Sequence, residues 1–86
     1  MEIDGKLLWV KTNLGICYLI KGEQSKAMEY YMDALSDASK TDKKIAARSY
    51  LEDAITDINN SSKKQVLPSS DIIKSMLQKK IEQLRQ

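Results

Sequence analysis

The sequence predicts an all-α domain built from four helices. Apolar residues recur at three- and four-residue steps in four separate segments, which is the spacing of a helix face. No segment alternates convincingly between apolar and polar residues with the period of two expected of a half-buried strand. The 86 residues include only 3 Gly and 1 Pro, so long uninterrupted helices are permitted. A chain of this length is expected to form one small domain, 1–86, or to be a fragment of a longer protein.

The first helix is predicted from about Asp4, its expected N-cap, to Lys21. Its apolar residues fall on two faces. The first face holds Leu7, Val10, Leu14, Cys17 and Tyr18, and the second holds Trp9, Ile16, Leu19 and Ile20. A helix that is apolar on two faces is either buried on both sides or presents one side to a partner.

Gly22 is expected to end the first helix in the left-handed conformation that glycine adopts readily. A second helix is predicted over about 24–39, and Thr41 or Asp42 is expected to cap a third. The expected core positions are Ala27, Met28, Tyr31, Ala34, Leu35 and Ala38 in the second helix, and Ala47, Tyr50, Leu51, Ala54, Ile55 and Ile58 in the third. The short connections favour antiparallel neighbours.

The ten residues 59–68, NNSSKKQVLP, are rich in turn formers and predict a loop. A serine after Pro68 is expected to cap a fourth helix, with Asp71 in its first turn. The apolar positions of this helix are Ile73, Met76, Leu77, Ile81 and Leu84. The lysines between them predict an amphipathic helix with a solvated outer face.

Composition argues against several kinds of site. With one cysteine, Cys17, and no histidine, the chain can form neither an internal disulfide, nor a Cys/His zinc site, nor a Ser-His or Cys-His catalytic pair. Cys17 is expected to be a small core residue. The segment KGEQSK lacks the glycine spacing of a phosphate-binding loop. We therefore expect a non-enzymatic protein without metal or cofactor.

Charge and hydropathy limit the cellular locations and the classes of partner that the sequence predicts. The N-terminus MEIDGK is acidic and has no apolar signal-peptide core, and no run approaches the ~18 apolar residues of a membrane span. A cytoplasmic protein without membrane contact is expected. The basic residues of the C-terminal third are Lys63, Lys64, Lys74, Lys79, Lys80 and Arg85. Because no aromatic residues are interleaved with them, a solvated face is favoured over nucleic-acid binding.

Six residues of the first two helices share the spacing of a known repeat: Leu14, Gly15, Tyr18, Ala27, Tyr31 and Ala34. In this register, residues 8–41 resemble one tetratricopeptide repeat, whose pattern is W-x2-L-G-x2-Y…A-x3-F…P over 34 residues. Lys11 and Ser39 stand where the pattern has Trp and Pro. A shift of 34 reveals no second repeat, so 42–86 is expected to be a degenerate repeat or a capping helix pair. The resemblance implies a four-helix, tetratricopeptide-like antiparallel array, with a helical hairpin followed by two further helices.

The resemblance also implies a binding surface, because the first helix of each tetratricopeptide repeat lines a concave groove. In this chain that groove would be lined by Trp9, Thr12, Asn13, Ile16, Leu19 and Ile20. Trp9 is the expected anchor for a partner helix or peptide. The competing interpretation is that the fourth helix or another subunit covers this face, so that it is plain core.

The function that these observations predict is a protein–protein interaction module or scaffold. One alternative is a structural self-association or capping module of a larger assembly, and a homo-oligomer is compatible with it. Another alternative rests on the segment KAMEYYMDAL, which is similar to the second helix of microtubule-interacting-and-transport domains. That resemblance implies a three-helix binding domain with one additional helix.

Overall fold

Four α-helices make up the computed structural model, which describes residues 5–67 and 69–85. They are α1 (Gly5–Lys21), α2 (Gln24–Lys40), α3 (Lys44–Ser62) and α4 (Ser70–Leu84). Within those two ranges there is no strand, and the predicted all-α class is confirmed. The predicted cap Asp4 and the side chain of Leu7 lie outside the described residues.

The helices form two consecutive hairpins. α1 packs against α2, α3 packs against α4, and the hairpins meet mainly through α1 and α3. α2 also contacts α4 but touches α3 only slightly. The core between the helices consists of Leu8, Ile16, Leu19, Ala27, Tyr31, Ala34, Ala38, Ala47, Leu51, Ala54, Ile58, Leu67, Ile73, Leu77 and Ile81.

Gly15 brings α1 and α2 into close contact. A Cβ atom at this position would lie 2.8–2.9 Å from three ring atoms of Tyr31, well inside van der Waals contact. The Tyr31 side chain is fully buried between Ala27 and Ala34, which are also fully buried. Small residues on both helices therefore make room for one large ring.

The α1–α2 turn depends on the conformation of Gly22. Its φ of +85° is left-handed, and nothing lies within 4 Å of the position that a Cβ would take. The Gly22 N–H donates to the Leu19 carbonyl at 3.1 Å and the Glu23 N–H donates to the Tyr18 carbonyl at 2.9 Å. The last turn of α1 is thereby satisfied by the turn itself.

Replacing Gly22 with Ala is expected to lower the free energy of unfolding by about 1 kcal/mol, because an L residue is strained in this conformation. Gly22→Asn should cost less, since Asn tolerates the left-handed region. Urea unfolding of both variants measures the effect. Because a methyl group would meet no other atom at this site, backbone strain is the only source of the expected loss. Equal stability of Gly22→Ala and the wild type would therefore contradict this account.

The predicted loop at 59–68 is wrong over its first four residues, which continue α3 to Ser62. Ile58 is fully buried, and the Ser62 hydroxyl donates to its carbonyl at 2.8 Å. The turn-forming tendency of Asn and Ser is therefore overridden, because packing of the preceding turn favours continued helix.

The predicted helix starts are close in position but differ in their hydrogen bonds. Lys43 rather than Asp42 is the N-cap residue of α3, and its N–H donates to Thr41 Oγ1 at 3.1 Å. Ser69 is the N-cap residue of α4, but its side chain makes no capping hydrogen bond. Its hydroxyl instead donates to Gln24 Oε1 at 2.8 Å, which joins the α3–α4 loop to the start of α2.

Candidate protein-binding surface

Half of the predicted groove lies in the core. Leu19 is fully buried and Ile16 is 8% exposed, so neither side chain is open to a partner. Thr12 is also buried, and its hydroxyl donates to the Trp9 carbonyl at 2.9 Å. These three residues lie on the side of α1 that faces the neighbouring helices, so the open groove expected from the sequence is not present as a continuous surface.

The first apolar face predicted for α1 is partly exposed to solvent rather than buried. Leu14, one of the six repeat-pattern residues, is 36% exposed, and Val10 is 42% exposed. Cys17 is likewise exposed, so the prediction of a core cysteine is wrong. The close contact at Gly15 explains the rotation, because turning Gly15 and Tyr18 toward α2 turns these three side chains outward.

The exposed side of α1 therefore forms one apolar strip. Trp9 is 50% exposed and Ile20 is 45% exposed, and Asn13 is half-buried between them. We define the α1 outer face as Trp9, Val10, Asn13, Leu14, Cys17 and Ile20. Exposed apolar residues are common one at a time, but a contiguous strip along three turns of a helix is typical of an interaction surface.

The second hairpin provides an internal comparison for this strip. Buried positions Leu8, Thr12, Gly15 and Leu19 of α1 correspond to Ala47, Leu51, Ala54 and Ile58 of α3, in each case 39 residues later. The α1 outer face then corresponds to Arg48, Ser49, Glu52, Asp53, Thr56 and Asn59, all polar. We call these residues the α3 outer face. Two helices with the same buried register thus differ in polarity at five of the six outer positions, the exception being Asn13 and Glu52.

The remaining residues of the repeat-like pattern have structural roles. Ala27, Tyr31 and Ala34 are fully buried. The Tyr18 ring stacks on Tyr30 with ring centroids 5.4 Å apart and planes 5° from parallel.

The Tyr18 ring also has two ammonium groups beside it. Lys21 Nζ lies 5.6 Å and Lys26 Nζ lies 5.3 Å from the ring centroid. Because the aromatic surface is already occupied by the protein's own lysines, the shallow cleft beside Tyr30 does not offer a free aromatic cage for a cationic ligand.

Two titratable groups have pKa values displaced by the fold. Burial raises the pKa of the Tyr31 phenol, and the charges of Asp57 and Cys17 raise it further. The buried hydroxyl has no hydrogen-bond partner among the described residues. The pKa of Asp57 is raised by its own partial desolvation and then by Asp53. Neither group lies on the α1 outer face.

Among the residues that the structure describes, the charged side chains do not assemble a metal site. In the ranges 5–67 and 69–85, no group of three or more His, Cys, Asp or Glu side chains is close enough to hold an ion. The best-formed ion pair joins Lys11 Nζ to Asp37 Oδ2 at 2.6 Å, and it links α1 to α2. Asp37 therefore has a structural role in the first hairpin.

Comparison of the chain with protein-family models, curated proteins and solved structures finds no match. None of the helices in the described part of the chain combines the length and apolar character needed to cross a membrane. The resemblance to a tetratricopeptide repeat stays a prediction, and the candidate surface is defined by the geometry of α1.

Proposed function

We propose that this chain is a non-enzymatic protein-binding module that takes a partner helix or peptide on the α1 outer face. The observation that carries the proposal is the contrast between α1 and α3. At matched positions α3 presents polar residues to water, whereas α1 presents Trp9, Val10, Leu14, Cys17 and Ile20. Leaving such a strip uncovered costs free energy that the α3 sequence avoids.

The size of this strip suits a moderate affinity. Covering the exposed parts of Trp9, Leu14 and Ile20 would remove about 250 Å² of apolar surface from water, worth about 6 kcal/mol before the costs of association. Those costs consume much of the gain. The module is therefore suited to a reversible contact in which Trp9 supplies the largest share.

The architecture supports a tetratricopeptide-like interpretation of this module without depending on it. The chain pairs α1 with α2, α3 with α4 and α1 with α3, the order expected of two stacked hairpins. The matched positions are 39 residues apart rather than 34, which accounts for the failure of the 34-residue shift to find a second repeat. The second hairpin is thus proposed to be a degenerate unit whose polar outer face closes the stack.

The exposed face of α1 and the contacts between the helices also bear on two other functions predicted from the sequence. Self-association or capping of a larger assembly would also cover the α1 outer face, and hydrodynamic measurement separates it from peptide binding. A three-helix domain of the microtubule-interacting-and-transport type is favoured less, because α2 barely touches α3. A cytoplasmic location is proposed from the single free thiol, which suits a reducing compartment.

Peptide binding is expected to weaken about tenfold in the double variant Leu14→Gln/Ile20→Gln, with little change in melting temperature, because both side chains are exposed. The probe is an 18-residue amphipathic helical peptide with a leucine stripe and no Trp or Tyr. Trp9 is the only tryptophan and half exposed, so its emission should shift to shorter wavelength on binding. Alkylation of Cys17 should slow in the same titration.

The matched control is Met32→Gln/Ile72→Gln, which removes apolar side chains that are 55% and 59% exposed on α2 and α4. This control should bind the peptide as the wild type does. Equal loss of binding in both double variants, or unchanged binding in the α1 variant, would rule out the α1 outer face as the site. A large fall in the melting temperature of the α1 variant would show that the strip belongs to the core.

A further inference from the structure

Three lysines lie near the C-terminal end of the α1 outer face, and one of them, Lys21, also places its Nζ 5.6 Å from the Tyr18 ring centroid. Lys21 ends α1 beside Ile20, and the α3–α4 loop is held against the same turn because Gln65 Nε2 donates to the Ile20 carbonyl at 3.1 Å. Lys63 and Lys64 lie directly before Gln65 and are exposed. We call Lys21, Lys63 and Lys64 the basic end. Among the described residues none of the three has an ion-pair partner.

No acidic residue of α1 offsets this cluster. The segment Gly5–Lys21 contains no Asp or Glu, and Asn13 is the only polar residue of the outer face. The nearest acid in the sequence, Glu23, already faces Lys26 at 3.9 Å. The strip is therefore uncharged along its length and positive at one end, which gives it a direction.

We propose that the partner is an amphipathic helix that lies antiparallel to α1 and places Asp or Glu residues of its first turn on the basic end. The proposal rests on the function proposed above and adds the charge and the orientation of the partner. Trp9 and Ile20 are about 16 Å apart along the helix axis, which three turns of a partner helix would cover. An acidic first turn suits both the lysines and the positive dipole of the partner's own N-terminus.

A second copy of this chain fits the strip less well. In an α1–α1 pair, Lys21 would meet only uncharged or basic side chains of the other α1, because Gly5–Lys21 has no acid. Within Gly5–Lys21 the apolar surfaces would match, but no acidic side chain would meet Lys21. Complementary charge therefore favours a different, acid-bearing helix.

The proposal is tested with two 18-residue peptides of identical composition and the same leucine stripe. One carries three Glu in its first turn and three Gln in its last, and the other has these positions exchanged. Affinity is measured from Trp9 emission and by calorimetry at low and high salt. The acid-first peptide should bind about fivefold more tightly to the wild type at low salt, and the preference should shrink at high salt.

Part of this preference reflects the stability of each free peptide helix. The decisive measurement is therefore how much the preference changes when the protein's lysines are replaced. The triple variant Lys21→Gln/Lys63→Gln/Lys64→Gln should lose most of the fivefold preference. The control variant Lys40→Gln/Lys43→Gln/Lys79→Gln removes the same charge from exposed positions away from the α1–α2 turn. This control should keep the preference.

The possible outcomes distinguish failure of the proposed partner orientation from failure of the proposed binding function. If both peptides bind through Trp9 but the preference is equal in the wild type and the basic-end variant, the orientation proposal is overturned and the binding function stands. If neither peptide shifts Trp9 emission or protects Cys17, both proposals fail. A concentration-dependent dimer with Trp9 covered would identify a second copy as the occupant and overturn the acid-bearing partner.

Discussion

Replacing Gly15 with Val is expected to lower the free energy of unfolding by about 3 kcal/mol, the upper end of the cost of overpacking a core. Even a single Cβ would approach the Tyr31 ring to 2.8 Å, and valine adds two more carbons. The ring is fully buried, so moving it would disturb the packed side chains around it. For a domain of this size, the loss is a large fraction of the total stability.

Cys17→Val is the matched control for this substitution, because it places the same β-branched residue on an exposed position of the same helix. Its effect should stay within about 0.5 kcal/mol. The double variant Gly15→Val/Tyr31→Leu should recover part of the loss by giving the new side chain room. Chemical denaturation followed by circular dichroism measures all three, and a Gly15→Val protein as stable as the Cys17→Val control would refute the close contact.

The second large effect is a loss of stability at alkaline pH that depends on Tyr31. The pKa of Tyr31 in the folded protein is raised above the ordinary value of 10.0. At a pH between the pKa of the unfolded chain and that of the folded chain, the unfolded chain has released a proton that the folded chain retains. The unfolded state then binds fewer protons, and the free energy of unfolding falls as pH rises above about 10. The expected slope from this group is about 1.4 kcal/mol per pH unit.

Tyr31→Phe should remove that slope and also raise stability at neutral pH by about 1 kcal/mol, because the buried hydroxyl has no hydrogen-bond partner within residues 5–67 and 69–85. The measurement is urea unfolding of both proteins from pH 8 to pH 11.5. Lysine titration contributes equally to both, so the difference between the two curves isolates Tyr31. Tyr50→Phe, at a half-buried position, should keep the alkaline slope. A Tyr31→Phe protein that follows the wild-type curve would contradict the assignment.

Much of the fold was predictable because its helices carry strong periodic patterns and clear breaks. Gly22 marks the α1–α2 turn, and the buried residues of α2 recur at steps of three and four from Ala27 to Ala38. The error at 59–62 has a local cause. Asn and Ser weaken a helix only modestly, and burial of Ile58 is enough to extend α3 through them.

The rotation of α1 could not be read from its own sequence. Both of its sides are apolar, so the pattern cannot say which side is covered. The decision lies in a tertiary contact, since Gly15 must face Tyr31 for that ring to fit. This contact exposes Leu14 and buries Leu19, which the resemblance to the repeat placed on an open groove. Trp9 and Ile20 were found because they border the exposed side in either rotation.

The contrast that identifies the α1 outer face needed information from both hairpins. A shift of 34 residues compares Leu14 with Arg48, whereas the buried register pairs Leu14 with Asp53. When Gly15 is aligned with Ala54, as the buried positions require, the apolar strip of α1 corresponds to a fully polar strip of α3. A comparison of hydropathy at every offset, rather than at 34 alone, would have been the sequence signal.

The hydrogen bonds from Gln65 to Ile20 and from Ser69 to Gln24 each join residues 45 positions apart, and they bear on the order of folding. Each hairpin closes through a connection of only a few residues or one short loop, which favours rapid local formation. Contacts between the hairpins close a much longer loop and cost more chain entropy. We therefore expect the hairpins to form first and to dock afterwards, so that the late step of folding also brings Lys63 and Lys64 to the end of α1.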